Sequence, residues 1–410
     1  MIKAEEPKAC YFLSLTLENV ACFGKRQTLN LTDENGKPHR WTTIVGNNGT
    51  GKTTLLKALA GMGDYYKKKL LADKKLNHSE IHFELIESLT KKPSKGHRTM
   101  DLNMGSMEAS SRHFLPGLQE YIYAYGGART NVSNHSYQRH STTDSLFNDN
   151  YQLINPEKWL IQADYLSLRD SKYKKYKSQV EEVILELLPD VEEIKYEISD
   201  EKKEVEVFFK TSFGWVTIDQ LSLGYRTMMA WMVDFTSNLF DRYPESENPL
   251  AEPAILLVDE IDLHLHPTWQ KKLTGFLLEK FPKTQFIVTA HSPLVIQSAA
   301  EHNLVLLKKT EDGKDVEIDN NPVSVKNWRI EQILTSDLFG LETTLPPKTE
   351  ELMRQRNQIL SKSKITKKDK EQLSQLEKNM GNLPYGDTAE EIEADTLIKK
   401  IAQRLAEQKK

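Results

Sequence analysis

The run Gly46-Asn47-Asn48-Gly49-Thr50-Gly51-Lys52-Thr53 sets glycines, a lysine and a hydroxyl at the spacing of a phosphate cradle. Glycines let successive backbone N–H groups turn inward on an anion, and a helix beginning behind them adds the positive end of its dipole. Lys52 is then placed to reach the β and γ phosphates, Thr53 to offer its hydroxyl to Mg²⁺, and Thr54 to line the helix start. The flanks agree with this reading. Thr43-Ile44-Val45 ahead is an apolar strand, and Thr54-Leu55-Leu56-Lys57-Ala58-Leu59 behind is helical. The expected ligand is a nucleoside triphosphate, ATP with Mg²⁺.

Two later strands end in residues that suit the same chemistry. Pro253-Ala254-Ile255-Leu256-Leu257-Val258-Asp259-Glu260 is an apolar run closed by two carboxylates. Asp259 can hold Mg²⁺ beside Thr53, and Glu260 can orient or deprotonate an attacking water. Phe286-Ile287-Val288-Thr289-Ala290-His291 repeats the pattern, with His291 able to hydrogen-bond the γ-phosphate and sense its loss. Gln162, in Trp159-Leu160-Ile161-Gln162, reads either as a plain surface glutamine or as a further contact at the metal. His264 and His266 form an H-x-H pair, but without cysteines or further acids in ligand spacing.

Leu221-Ser222-Leu223-Gly224-Tyr225-Arg226 precedes a helical run and resembles the L-S-G-G-Q signature of ABC-type ATPases. Ser222 and Gly224 at a helix N-terminus suit a phosphate group. The resemblance implies that they meet the γ-phosphate of a second subunit, in a head-to-tail dimer sandwiching nucleotide. Leu223 and Tyr225 depart from the motif, as in the SMC-like and defence-associated branch.

These motifs need strands and helices to carry them. With 410 residues and 38% apolar content the chain can build a sizeable core. A net charge of −4 gives no global attraction to nucleic acid or anionic membrane, so any DNA contact must be local. Lys172, Lys174, Lys175 and Lys177 form one such local cluster, read either as a nucleic-acid contact or as a solvated helix face. Cys10 and Cys22 form no framework, and no stretch approaches 18 apolar residues, so a cytoplasmic protein outside the membrane is expected.

Alternation over Phe12–Val20 and Gln27–Leu31 predicts two antiparallel strands, followed by the strand Trp41–Val45. Residues 64–215 read as a long insertion, with 91–113 and 129–150 as surface loops or partly disordered stretches and Tyr121–Tyr125 as a buried strand. Within it Lys172–Leu188 has helical spacing, and Glu193–Ile198, Val205–Phe209 and Trp215–Ile218 read as strands. Beyond 345, Thr366-x-x-Asp369 and Thr388-x-x-Glu391 resemble capping boxes around a break at Gly381–Pro384. The expected fold is therefore α/β: an ABC-type P-loop ATPase head over 1–345 with antiparallel N-terminal strands, and a helical appendage over 346–410.

Tyr125-Gly126 with Arg129, the Ser222 motif, Asp259-Glu260-Ile261-Asp262-x-His264-Leu265-His266-Pro267 and Ile333–Leu341 together look like PtuA-type ATPases of Septu and retron anti-phage systems. That resemblance implies control of an HNH-nuclease partner of the PtuB kind. It leaves DNA, or a retron reverse transcriptase with its non-coding RNA, as further partners, and oligomers built from nucleotide-sandwich dimers. Three rivals are set against it. An ABC transporter subunit usually keeps the glycine-rich signature; an SMC or break-repair ATPase needs a long coiled coil, which the pattern lacks; an OLD- or Gabija-type nuclease needs an acid cluster after His291, where only 119 residues follow. Nuclease activity in this chain alone is not expected. An SMC-like or OLD-like DNA-repair ATPase and an ATP-bound scaffold with negligible turnover stay open beside the defence reading.

Overall fold

A computed structural model of the chain describes residues 10–61, 80–87, 97–103, 118–129, 142–199, 203–362 and 365–380, with Ile398. The first strands are β1 (Cys10–Glu18) and β2 (Gln27–Asn30), paired antiparallel as Leu15 against Leu29. Then β3 (Trp41–Gly46) runs into the glycine-rich loop and helix α1 (Lys52–Ala60). Strands β4 (Glu80–Glu87) and β5 (His97–Asn103) return to the first sheet, giving the order β2-β1-β4-β5. Two expectations are corrected here. Residues 97–103 are a strand rather than loop: antiparallel pairing with β4 organises a segment whose apolar alternation is only the two residues Met100 and Leu102. Much of 64–215 is not inserted into the fold but part of it, since β6 (Ile122–Tyr125) lies in the central sheet.

Helices α2 (Pro156–Ser167) and α3 (Ser171–Leu187) follow, then the antiparallel meander β7 (Val191–Ile198), β8 (Val205–Thr211) and β9 (Gly214–Thr217). Helix α4 (Leu223–Arg242) is buried over most of its circumference, from Thr227 to Phe240, as a helix central to a core must be. It leads to β10 (Ala254–Val258), α5 (Pro267–Lys280), β11 (Thr284–Thr289), α6 (Pro293–Ser298), β12 (Asn303–Lys309), β13 (Val316–Asp319) and the short α7 (Ile330–Leu334).

The central sheet has the order β13-β12-β3-β11-β10-β6, parallel except where β13 pairs with β12. Strands β3, β11, β10 and β6 are buried along nearly their whole length because both faces are covered. Alternate residues go to opposite sides. Leu256, Val258, Phe286, Val288 and Tyr123 join Trp231, Met232 and Phe235 of α4 in one cluster. Ile255, Leu257, Ile287, Ile44 and Ala124 join Leu55, Leu56 and Leu59 of α1 and the N-terminal strands in another. The register, Ile44 with Thr289, Val288 with Val258 and Val258 with Tyr125, brings the carboxyl ends of β3, β11, β10 and β6 to one edge. In an open parallel sheet that edge is where ligands bind.

The chain divides into two compact units, Met1–Gly340 and Leu341–Lys410. In the second, α8 (Pro347–Leu360) and α9 (Lys367–Met380) are helices. Thr366 and Asp369 form the reciprocal cap at the start of α9, with the Asp369 N–H on Thr366 Oγ1 at 3.2 Å and the Thr366 N–H on Asp369 Oδ2 at 2.9 Å. The box at Thr388 and the break at Gly381–Pro384 lie outside the described residues. Among the described residues no helix is long and apolar enough to cross a membrane.

Candidate active site

The loop between β3 and α1 is shaped by its glycines. Gly49 and Gly51 take φ of 75° and 85°, left-handed values that a side chain disfavours. Helix α1 begins at Gly51 with no side-chain cap and no acid in its first turn. By contrast α2, α3, α4, α5 and α6 are each capped by a side chain, from Asn155, Asp170, Ser222, His266 and Ser292. The first N–H groups of α1 are thus left to an anion, which is what the cradle requires.

Lys52 is buried, and its ammonium donates to the carbonyls of Gly46 at 2.8 Å and Asn47 at 3.1 Å. Burial lowers its pKa from the ordinary lysine value, while the carboxylates of Asp259, Glu260 and Asp262 pull the other way. Thr53 donates its hydroxyl to Asp259 Oδ2 at 2.6 Å, joining residues 206 positions apart. Asp259 Oδ1 accepts from Thr289 Oγ1, also at 2.6 Å. Asn48, Gly49, Gly51, Lys52, Thr53, Thr54, Asp259, Glu260 and His291 line one cleft of about 540 Å³ with Ala21 and Cys22. That volume is within the usual range for a small-ligand site. Thr50 donates to the Asn47 carbonyl at 2.8 Å and braces the loop from within.

Glu260 adopts φ 50°, which costs a residue with a side chain roughly 1–2 kcal/mol. Its N–H donates to Thr289 Oγ1 at 2.7 Å, and its carbonyl accepts from Arg129 Nη2 at 2.7 Å. Arg129 is wholly buried, and that burial draws its pKa down to about 10 against the pull of the neighbouring carboxylates. The backbone N–H of His291 donates to Asp262 Oδ2 at 3.0 Å, tying the end of β11 to the segment after Glu260.

Ser222 and Gly224 do not reach this cleft. They line a separate cavity with Leu188, Tyr225, His264 and Trp269, where Ser222 is exposed and accepts the Tyr225 N–H at 3.3 Å. A Cβ on Gly224 would stand 2.3 Å from the His264 carbonyl oxygen, so the start of α4 lies directly on the segment after Glu260. Gln162 is a correction. It is exposed on α2, whose start is fixed by Asn155 and Pro156, and it lines a different cleft with Trp159, Tyr173 and Phe240. The loop beside Asp259 is instead Gly126–Arg129, at the end of the strand that pairs with β10.

Sequence reasoning gave Thr289, Asp262 and Arg129 no role at the site. Thr289 ends β11 as Asp259 follows the end of β10, a parallel that the two strand ends display. Of the lysine cluster, Lys172 lies 5.7 Å from the Tyr176 ring centroid and Lys177 is ion-paired with Asp164 at 2.6 Å; Lys174 and Lys175 are exposed. His266 caps α5, and among the described residues no three His, Cys, Asp or Glu side chains gather as a metal-holding group.

A parallel sheet whose strand ends carry a glycine-rich cradle, an Asp-Glu pair and a histidine around one cleft defines an ABC-type P-loop ATPase head. Family models of an AAA domain and of the ABC transporter match residues 103–297 and 29–121. The Septu protein PtuA of Bacillus mycoides (strain KBAB4) is 29% identical over 348 residues, 82% of this chain and 46% of its own length. The "Retron Ec83 probable ATPase" of Escherichia coli is 42% identical over 99 residues, 24% of this chain and 18% of its own. The chain thus spans less than half the length of these relatives. An SMC head bound to the C-winged helix domain of ScpA has 14% identity and a TM-score of 0.46, covering 75% of this chain and 97% of that one. In sequence the chain is similar to PtuA proteins of Septu systems and to retron ATPases.

Proposed function

We propose that this chain binds ATP with Mg²⁺ and hydrolyses it in a head-to-tail dimer, and that in a Septu- or retron-like anti-phage system this cycle controls a partner HNH nuclease of the PtuB kind. The observation that carries the proposal is the convergence of Lys52, Thr53, Asp259, Glu260 and His291 on one cleft, with Ser222 exposed on another surface. A cleft open to solvent on one side and a signature serine without a phosphate of its own suit closure by a second protomer.

The residues present fit Mg-ATP. Lys52 now donates to two carbonyls, and a triphosphate oxygen can take over as acceptor for the same ammonium. The uncapped start of α1 with Thr53 and Thr54 receives the phosphates, and Thr53 and Asp259, already in contact, would hold the metal. Bound Mg²⁺ supplies charge neutralisation on the triphosphate. Glu260 aligns a water and accepts its proton as the oxygen attacks the γ-phosphorus and the bond to the β–γ bridging oxygen breaks, ADP being the leaving group. His291, on the same cleft, donates to the γ-phosphate and loses that contact when phosphate leaves, and the change passes through the Asp262 carboxylate to the segment on which Gly224 rests. A docked nuclease would feel this difference through the dimer interface.

The test pairs two variants. Lys52→Ala is expected to abolish ATP binding, whereas Glu260→Gln should retain ATP and lose about 10²- to 10⁴-fold in phosphate release. Turnover at the wild-type rate in Glu260→Gln would overturn the assignment, and a wild type that binds ATP without releasing phosphate would make the chain a nucleotide-bound scaffold.

A further inference from the structure

Arg129 is among the largest wholly buried side chains of the protein, 1% exposed, four residues beyond the end of β6. Its Nη1 donates to the carbonyl oxygens of Gly126 at 2.9 Å and Asp259 at 2.6 Å, and its Nη2 to that of Glu260 at 2.7 Å. Nε bonds to no protein atom among the described residues. A buried guanidinium that among the described residues makes no salt bridge, only carbonyl contacts, is a costly way to fill space; an apolar side chain of similar volume does so with less desolvation. What the fork provides is geometry, two carbonyls of consecutive residues fixed by one rigid plane.

Those residues are the metal-side aspartate and the water-side glutamate. Glu260 is in the left-handed region, at φ 50°, and such a residue persists where its surroundings over-determine it. Its N–H is held by Thr289 and its C=O by Arg129, so the turn is clamped on both sides of the Cα that carries the carboxylate. The same loop meets the carboxylate itself. A Cβ on Gly127 would lie 3.3 Å from Glu260 Oε2, so the missing side chain at 127 leaves the space that the acid occupies.

We infer that the loop Gly126–Arg129 is the positioning element for Glu260, with Arg129 locking the turn and Gly127 leaving room for the carboxylate. Arg129 is a positioning residue, acting through Glu260 and not on nucleotide. The inference rests on the reading of Glu260 as the water-directing acid. Arg129→Lys keeps the charge but replaces the fork with a point donor, so the Glu260 carboxylate loses its aim while the phosphate cradle is unchanged.

The experiment uses the full chain as wild type, Arg129→Lys, Glu260→Gln, the double variant and Gly127→Ala, each measured for ATP affinity, KM, kcat and melting temperature. Arg129→Lys is expected to bind ATP within about threefold of wild type and to lose about 10- to 100-fold in kcat. In the double variant the loss should not compound, leaving kcat within about threefold of Glu260→Gln alone. Losses that multiply would place Arg129 outside the action of Glu260 and overturn the inference, as would an Arg129→Lys deficit explained by fewer folded sites. If Arg129→Lys does not fold, Gly127→Ala decides: kcat lowered with KM unchanged supports the loop's role, and wild-type kcat in a folded Gly127→Ala refutes it. Equal turnover in wild type and Glu260→Gln is the distinct outcome that removes the reading of Glu260 itself, and the inference with it.

Discussion

Replacing Thr289 by valine keeps the volume of a side chain that is 0% exposed and removes only its hydroxyl. That hydroxyl donates to Asp259 Oδ1 at 2.6 Å and accepts the Glu260 N–H at 2.7 Å, so two of the acids' supports vanish together. A hydrogen bond to a charged group contributes about 1.5–3 kcal/mol, and a half-buried N–H left without partner costs about 1 kcal/mol. The expected destabilisation is therefore about 2.5–4 kcal/mol. Thr289→Ser is the control, because it keeps both hydrogen bonds and loses one buried methyl, about 1 kcal/mol. The backbone bond from the Ile261 N–H to the Thr289 carbonyl, 2.9 Å, is common to all three proteins. Urea denaturation should give the stability order wild type, serine, valine, and steady-state phosphate release should drop about 10- to 100-fold for valine but only a few-fold for serine. If valine keeps the wild-type rate and serine loses it, packing organises the turn and the hydroxyl reasoning is refuted.

Gly224→Ala is expected to leave ATP binding near wild type yet lose turnover, since its Cβ would meet the His264 carbonyl oxygen at 2.3 Å and force apart the start of α4 and the segment after Glu260. Wild-type phosphate release in that variant would show that the two surfaces need not touch. Mixing Lys52→Ala with Ser222→Arg chains should recover part of the activity, because one of two shared sites in a mixed dimer carries neither defect; failure at every ratio, with mixed dimers demonstrated, rejects the shared site. Purified without partners, the chain should leave plasmid, linear and single-stranded DNA intact in Mg²⁺ or Mn²⁺, and cleavage abolished by changing its own acids would contradict the proposed division of labour.

Which of these residues the sequence reveals depends on how each one works. Lys52 and Thr53 stand in a contiguous loop whose glycines, lysine and hydroxyl act through local geometry, so their chemistry is legible without a fold. Asp259 and Glu260 are legible because an all-apolar strand that ends in two acids has few other uses. The sheet itself was partly legible: the apolar runs mark β3, β10 and β11, but not that β6, from a stretch read as an insertion, closes the order beside β10. That pairing is long-range, and nothing in Ile122–Tyr125 alone names its neighbour. The misplacement of Gln162 follows from it. Residue type points to a glutamine, whereas the position beside Asp259 is defined by the strand order and filled by the loop Gly126–Arg129.

Arg129 and Thr289 escaped for a related reason. Each acts on backbone or carboxylate groups brought close by the sheet, across 130 and 30 positions of sequence, and neither residue type announces such a task. Arg129 opens the stretch 129–150 that reads as surface loop, yet it is buried, and burial is the property that a single sequence encodes least locally. The residues proposed to touch phosphate are thus set by local spacing, whereas those proposed to aim the acid are set by topology. Changes in strand order or loop composition around β6 should therefore alter turnover in chains whose cradle motif is intact, which makes the edge beside β6 the place where related ATPases of unequal activity are expected to differ.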